Sequence, residues 1–111
     1  MLEGFVIIHI ILHFVVPAIF ARTFYPQKWI NAFLILIATM LVDIDHLLAT
    51  PIYDPLRCSI NFHPLHTLPA IAVYFVMLGF NKTRLIGFGL LIHMALDSID
   101  CFQNVGLWMN P

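Results

Sequence analysis

The sequence predicts an all-α, polytopic membrane protein, an antiparallel bundle of four transmembrane helices in a single domain over residues 1–111. Composition is the first observation behind this prediction: 61% of the residues are hydrophobic, 10% are charged, and the mean hydropathy is +0.94. Soluble domains carry about 25% charged residues, and a chain of this size has too much surface to hide so many apolar side chains from water. The second observation is that the apolar residues form four stretches separated by short polar connections.

The first two stretches predict two long helices. The first covers residues 4–21 and contains Pro17, which predicts a kink. Because Glu3 stands where a secretory signal has basic residues, we interpret this stretch as a retained helix. The second covers residues 29–50, which matches the roughly 20 residues of a membrane span, and Pro51 provides its stop signal.

The last two stretches predict shorter helices over residues 66–80 and 84–100. The third has the alternative of a re-entrant helix that does not cross the membrane. Stretches shorter than a standard span predict local thinning of the bilayer. Short connections favour an up-and-down antiparallel order of neighbouring helices.

The basic residues predict the orientation of the chain. Four of the five lie beside the first and third connections, namely Arg22, Lys28, Lys82 and Arg84. The positive-inside rule places these connections in the cytoplasm. Both termini and the loop 51–65 then face outward, which predicts a multi-pass protein of a bacterial inner membrane whose functional site faces the periplasm. No basic patch is present in the sequence, which argues against nucleic acid as a partner.

The histidines and acidic residues lie at the opposite end of the four stretches from these basic residues. At about 1.5 Å of rise per residue, three stretches bring imidazoles and carboxylates to one layer, about 5–14 Å below the outer end. Spacings of three or four residues put several pairs on a shared helix face. Such groups are costly inside a membrane unless they are paired or functional. The predicted metal ligands are His9, His13, Asp43, Asp45, His46, His63, His66, His93 and Asp97.

This mixture of imidazoles and carboxylates suits Zn²⁺ best, with Mn²⁺ or Fe²⁺ as alternatives, and it is large enough for one or two ions. Some of these residues have other interpretations. One of His9 and His13 could only pack or orient its neighbour, and His63 could cap a helix. Asp45 could cap, orient a histidine or mark a local unwinding, and Asp100 could be a helix end that faces water. A structural hydrogen-bond network between helices is the alternative for the whole set.

The order His…Asp43-Ile-Asp45-His46…His63-Pro-Leu-His66…His93-x-x-x-Asp97 resembles the inner-membrane metal-dependent hydrolase family, described as LexA-binding, membrane-associated hydrolases. The chain is also similar, over nearly its whole length, to a compact, uncharacterised bacterial family of integral membrane proteins with D-x-D-H-L-L and R-C-S-I-N-F-H-P-L-H motifs. The resemblance implies metal ligands at His9 or His13, Asp43, Asp45, His46 and His66, with further ones at His63, His93 and Asp97. The chain departs from the hydrolase pattern by its shortness, by the two-residue spacing of its histidine pair and by its two histidines in the first helix.

The function that these features predict is metal-dependent hydrolysis of an ester or phosphoester, in a small-molecule or lipid-linked substrate near the outer membrane face. A water activated by the cation would be the nucleophile, and Asp45 or Asp100 would act as general base or orient a ligand. The first alternative is a metal-binding or metal-transport membrane protein without hydrolytic activity. A haem-binding bundle that uses two of His9, His13 and His93 is the second, and the abundant carboxylates argue against it.

Both cysteines, Cys58 and Cys101, fall at the outward end of the chain. An oxidising periplasm predicts a disulfide between them. It would close a loop of roughly 40 residues and stabilise the fold by about 3–4 kcal/mol in the chain-entropy model. Two free buried thiols, or metal ligation, are the alternatives.

Overall fold

The structure is a computed structural model that describes residues 2–48, 58 and 60–109, without the side chains of residues 2–6 and 44–47. Within that range all regular secondary structure is helical, which confirms the all-α prediction there. The α-helices are α1 Leu2–Phe24, α2 Trp29–Ala38, α3 Leu68–Met77 and α4 Arg84–Val105. The 3-10 helices are Pro26–Lys28, Thr39–Leu48 and Pro64–His66.

The second predicted span is a continuous helical segment that changes its winding in the middle. The α-helix ends at Ala38 and Thr39–Leu48 continue as a 3-10 helix, while residues 49 and 50 lie outside the described part. The hydroxyl of Thr39 donates a hydrogen bond to the carbonyl of Leu36, three residues earlier, and such bonds compete with α-helical geometry. A 3-10 run longer than three or four residues is uncommon and often marks a functional or strained segment.

The third predicted segment, residues 66–80, forms a shorter helix than the sequence indicates. His66 ends a 3-10 turn, and Thr67 is extended, with φ −80° and ψ 162°. The helix therefore begins only at Leu68, and it ends at Met77. Its ten residues rise about 15 Å, half the thickness of a hydrocarbon core.

Helices α1 and α4 are both longer than the predicted ranges 4–21 and 84–100. Pro17 lies inside α1, and the helix continues past it without a break. Helix α4 ends where Gly106 adopts the left-handed conformation, with φ 77°, and donates its N–H to the carbonyl of Phe102. A glycine in this conformation is a common helix stop, so the sequence carried a signal for the later end.

Helix α4 is the central helix, because it packs against α1, α2 and α3. Along α1 and α4 the contacts run in opposite directions, since His9 lies beside Asp97 while Phe20 lies beside Phe88. These two helices are therefore antiparallel.

Along α2 and α4 the contacts run in the same direction, since Gly89 adjoins Thr39 and His93 adjoins Asp43. A Cβ atom on Gly89 would lie 2.6 Å from the hydroxyl oxygen of Thr39, so the close approach of the two segments requires a glycine. The parallel pairing of α2 and α4, with α1 antiparallel to α4, agrees with the alternating order expected from short connections.

Polar side chains lie inside the protein and large apolar side chains lie outside. The buried polar or charged residues include four histidines and Asp97. Large apolar residues are exposed along all the helices, for example Leu41 at 75% and Val76 at 63%. Two helical stretches, Ile7–Phe24 and Arg84–Val105, are long and apolar enough to cross a membrane.

Two apolar clusters flank the buried polar groups. We call the cluster that contains the cysteines the upper core and the cluster on the opposite side the lower core. The upper core joins Cys58 and Cys101 to Ile60, Tyr74 and Met94. The two Sγ atoms lie 2.09 Å apart, at disulfide distance, as predicted, and the Cα atoms are 4.9 Å apart. The lower core is formed by Ala21, Ala32 and Leu36, which are almost fully buried.

Candidate metal centre

The candidate site lies where α4 meets two of the 3-10 segments, Thr39–Leu48 and Pro64–His66. Asp43 belongs to Thr39–Leu48, and His66 ends Pro64–His66. His93 and Asp97 lie one turn apart in α4, so they share a helix face as their spacing predicts. The site therefore combines one residue from each of two 3-10 segments with a pair from the central helix.

Backbone and side-chain hydrogen bonds hold the segment that carries His66. Its N–H donates to the carbonyl of His63 over 2.9 Å, and its carbonyl accepts the N–H of Asn61 over 2.9 Å. The hydroxyl of Tyr74 in α3 donates to the carbonyl of Leu65 over 2.7 Å. The backbone is thus fixed on both sides of His66, whose side chain is fully buried.

Four ligand atoms from these elements converge on one point. His66 Nε2 lies 3.3 Å from Asp43 Oδ1 and 3.0 Å from Asp97 Oδ2. His93 Nε2 lies 2.9 Å from the same Asp43 oxygen and 3.0 Å from the same Asp97 oxygen. The two imidazole nitrogens are 3.4 Å apart, and all four atoms lie within 4.8 Å of one another.

These separations match the edges of a small coordination tetrahedron. Bonds of about 2.0–2.1 Å from Zn²⁺ to nitrogen or oxygen place tetrahedral ligands about 3.3 Å apart. The five measured separations run from 2.9 to 3.4 Å. A neutral imidazole can donate only one hydrogen from this nitrogen, yet each Nε2 faces two carboxylate oxygens and a second Nε2. We call these residues, Asp43, His66, His93 and Asp97, the four-residue group.

Burial supports the same interpretation. Asp97 Oδ2 is buried and, within the described part of the chain, forms no hydrogen bond of good geometry, although two nitrogens lie 3.0 Å away. Buried polar atoms almost always have a partner, and an ion at the centre would supply one. The four-residue group could therefore bind a metal ion.

A second convergence lies on the other side of Asp97, toward α1. Asp97 Oδ1 is 3.1 Å from His9 Nε2 and 3.4 Å from His13 Nε2. These atoms also lie within 4.8 Å of one another, so this set could bind a metal ion too. We call His9, His13 and Asp97 the α1 group.

The remaining predicted site residues occupy different positions. Asp100 Oδ1 lies 3.8 Å from His9 Nδ1, behind the α1 group. His63 is buried, its ring centroid is 5.6 Å from that of His66, and it precedes the 3-10 turn in the cap position. It belongs to neither group. The side chains of Asp45 and His46 lie outside the described part, although their backbone continues the 3-10 helix that carries Asp43.

An apolar cleft of about 540 Å³ adjoins the four-residue group. The cleft lies between α2, α3 and α4, and its apolar lining includes Ile35, Leu41, Val42, Leu65, Ile86 and Leu90. Val42 and Leu65 directly precede Asp43 and His66 in the chain, although none of the four ligand residues lines the cleft itself. Sequence reasoning missed this cleft, because it depends on how three helices splay apart.

The four-residue group reaches the protein surface mainly at one position. The side chain of Asp43 is 42% exposed, whereas those of His66, His93 and Asp97 are at most 6% exposed. The site is therefore a buried cluster with one accessible carboxylate beside an apolar cleft.

Comparison with known proteins gives a match to a family model. The model of a family of unknown function, DUF6122, matches residues 1–103, which is nearly the whole chain. The chain therefore belongs to this family. No curated protein and no solved structure matches it.

Proposed function

We propose that this member of the DUF6122 family is a membrane-embedded, metal-dependent hydrolase that cleaves an ester or phosphoester bond, in a lipid-linked or small-molecule substrate. The observation that carries the proposal is the four-residue group, whose ligand atoms are 2.9–3.4 Å apart in a buried interior. Zn²⁺ fits these separations and this donor set, with Mn²⁺ and Fe²⁺ as alternatives. The resemblance of the ligand order to membrane-associated metal-dependent hydrolases points to the same chemistry.

The distribution of side chains supports a location in a bacterial inner membrane, with several passes. Exposed apolar residues cover the helices, and such surfaces are rare on soluble monomers. At the end opposite the site, the guanidinium of Arg22 lies 4.9 Å from the centre of the Trp29 ring, an arrangement suited to a membrane interface. Because the basic residues gather at this end, the positive-inside rule directs the four-residue group toward the periplasm.

The chain's own residues supply binding and orientation. The four-residue group would hold the cation, and a bound divalent cation supplies Lewis-acid chemistry that polarises the scissile group and makes a water more acidic. Asp43 is the ligand that an approaching substrate would meet first, because it is the exposed one. Asp100, behind His9, is placed to orient that imidazole, and Asp45 is our candidate for accepting the proton of the attacking water.

The packing below the site favours hydrolysis over metal transport. The lower core, formed by Ala21, Ala32 and Leu36, fills the interior between α1 and α2 with apolar side chains. Within the described structure, this apolar layer offers no ligands along which an ion could pass from the site to the basic end, which suits a catalytic centre better than a transport path.

The test uses the full chain in detergent, stripped of metal with a chelator and reloaded with Zn²⁺ or Mn²⁺. Hydrolysis of bis(p-nitrophenyl) phosphate, of p-nitrophenyl esters and of phospholipids is measured for the wild type, for His93→Ala and for Asn31→Ala. Asn31 is exposed on α2, away from the site, so its variant is the control. We expect turnover by the wild type and the control, and a loss of more than about 100-fold in His93→Ala.

Metal binding without turnover of any of these substrates would overturn hydrolysis. If the same preparation also moved Zn²⁺ across vesicle membranes, the transport alternative would replace it.

A further inference from the structure

The two groups of potential ligands share one residue, Asp97. We propose that the protein holds two metal ions rather than one, with the carboxylate of Asp97 bridging them. The four-residue group would bind the first ion and His9 with His13 would bind the second. This inference rests on the metal centre proposed above, and it adds a second site that binds a divalent cation of the same class.

The division of the two Asp97 oxygens is the first argument. Oδ2 faces His66 and His93, at 3.0 Å from each Nε2. Oδ1 faces the other way, at 3.1 Å from His9 Nε2 and 3.4 Å from His13 Nε2. A carboxylate that bridges two ions needs ligands for the second ion beside its far oxygen, and His9 and His13 occupy that position.

The hydrogen bond of His13 is the second argument. Its Nδ1 lies 2.7 Å from the carbonyl oxygen of His9, and because a carbonyl only accepts, Nδ1 carries the hydrogen. In the neutral ring, Nε2 then carries a lone pair and lies 3.4 Å from the negatively charged Asp97 Oδ1. Two lone pairs facing each other in a buried place repel, and a cation between them removes the repulsion.

The ring of His13 is 3% exposed, and within the described residues its Nε2 has no hydrogen bond of acceptable geometry. A cation between Nε2 and Asp97 Oδ1 would give this buried nitrogen a partner. Metal-binding histidines commonly donate their other ring nitrogen to a backbone carbonyl, as His13 does here.

The surroundings of His9 are the third argument. Its Nε2 faces Asp97, and its Nδ1 lies 3.8 Å from Asp100 Oδ1. This distance is longer than a hydrogen bond, but it places the carboxylate on the side of the ring from which carboxylates commonly orient metal-binding histidines. Both α1 histidines therefore turn Nε2 toward Asp97 and have a second group behind them.

A two-ion centre also narrows the class of substrate. A pair of cations can stabilise both the attacking and the leaving oxygen of a phosphoryl group, as in phosphatases and nucleases. Within the proposed substrate class, we therefore favour a phosphoester, with phosphate anion as its simplest ligand.

The experiment measures Mn²⁺ in the full-length protein, stripped of metal and reloaded in detergent. Elemental analysis gives the number of ions per chain, and electron paramagnetic resonance shows whether two Mn²⁺ ions are spin-coupled. We expect two coupled ions in the wild type and in the control Asn31→Ala. The double variant His9→Ala and His13→Ala should keep one ion with the six-line spectrum of an isolated Mn²⁺. Asp97→Asn should abolish the coupling.

The outcomes separate the two proposals. One uncoupled Mn²⁺ per chain in the wild type, unchanged in the His9 and His13 double variant, would overturn the two-ion centre and leave a single-ion hydrolase. No bound Mn²⁺ and no bound Zn²⁺ in the wild type would overturn both. The wild-type measurement decides the matter even if the double variant does not fold.

Discussion

The hydroxyl of Tyr74 shows how one polar atom can position a metal ligand. It bonds to the carbonyl of Leu65, directly before His66, and so ties the 3-10 turn to α3. A tyrosine inside an otherwise apolar helix is a sequence signal for such a bond, because a buried hydroxyl needs a partner. The ring of His66 depends on this backbone for its place between Asp43 and Asp97.

Tyr74→Phe should therefore weaken metal binding without unfolding the protein. The variant loses one hydrogen bond, worth about 1 kcal/mol, and keeps the ring that packs in the upper core. We expect a slightly lower Tm and a weaker Zn²⁺ affinity, by up to about 10-fold. Tyr25→Phe, at the other end of the fold, is the matched control. Equal Zn²⁺ affinities of the two variants in a competition titration would contradict the positioning role.

At the scale of elements, the contact between α2 and α4 sets the distance between Asp43 and His93. Thr39 and Gly89 touch one turn before these two residues on each segment. A Cβ on Gly89 would lie 2.6 Å from Thr39 Oγ1 and 2.7 Å from its Cγ2. The segments must move apart if either position grows.

Gly89→Ala should push the segments apart and cost about 1–3 kcal/mol, as overpacking does. Thermal unfolding in detergent and Zn²⁺ affinity should both fall. Adding Thr39→Ala should restore most of the loss, because it removes the two closest atoms. Gly79→Ala is the control, since its Cβ would make an ordinary 3.4 Å contact. An equal loss in the two glycine variants would show that the packing of Thr39 is irrelevant.

The disulfide joins the segment before α3 to the end of α4. Cys58 and Cys101 are 43 positions apart, so replacing both with alanine should cost about 3–4 kcal/mol in the chain-entropy model. Without reductant, the double variant should unfold at a lower temperature than the wild type. Reductant should destabilise the wild type and leave the variant unchanged. Two wild-type thiols that react fully with maleimide before reduction would contradict the bridge.

At the scale of the whole molecule, the polar groups are divided between two ends. The histidines and carboxylates of both groups lie at one end of α1 and α4, while Arg22 and Arg84 lie at the other end. An apolar exterior joins the two ends. The positive-inside rule turns this division into a prediction about orientation.

A reporter fused to the C-terminus tests that orientation in bacterial cells. We expect an alkaline phosphatase fusion after residue 111 to be active, because the enzyme needs the periplasm, and a green fluorescent protein fusion to be dark. A fusion after Lys82, between α3 and α4, should give the opposite pair of results. A bright C-terminal fluorescent fusion would contradict the periplasmic position of the site.

The sequence allowed much of this arrangement to be predicted, because charge segregation and helical spacing need no tertiary information. Spacing alone paired His93 with Asp97 and placed His9 and His13 in the same layer. The 3-10 conformation of Thr39–Leu48 could not be predicted in this way. Over a few turns, the periodicity of an apolar stretch does not distinguish a 3-10 helix from an α-helix. The sequence also could not predict that the two Asp97 oxygens face different pairs of histidines. That arrangement depends on how α1 and the 3-10 segments approach α4.

The unequal exposure of the four-residue group has a kinetic consequence. Three ligands are buried, and Asp43 is the one exposed at the protein surface. An ion would come and go past this single carboxylate, at a rate set by how often the neighbouring backbone opens. A substitution near Asp43, such as at the exposed Leu41, would then change the rate at which a chelator removes the metal. It would have a much smaller effect on the equilibrium occupancy of the site.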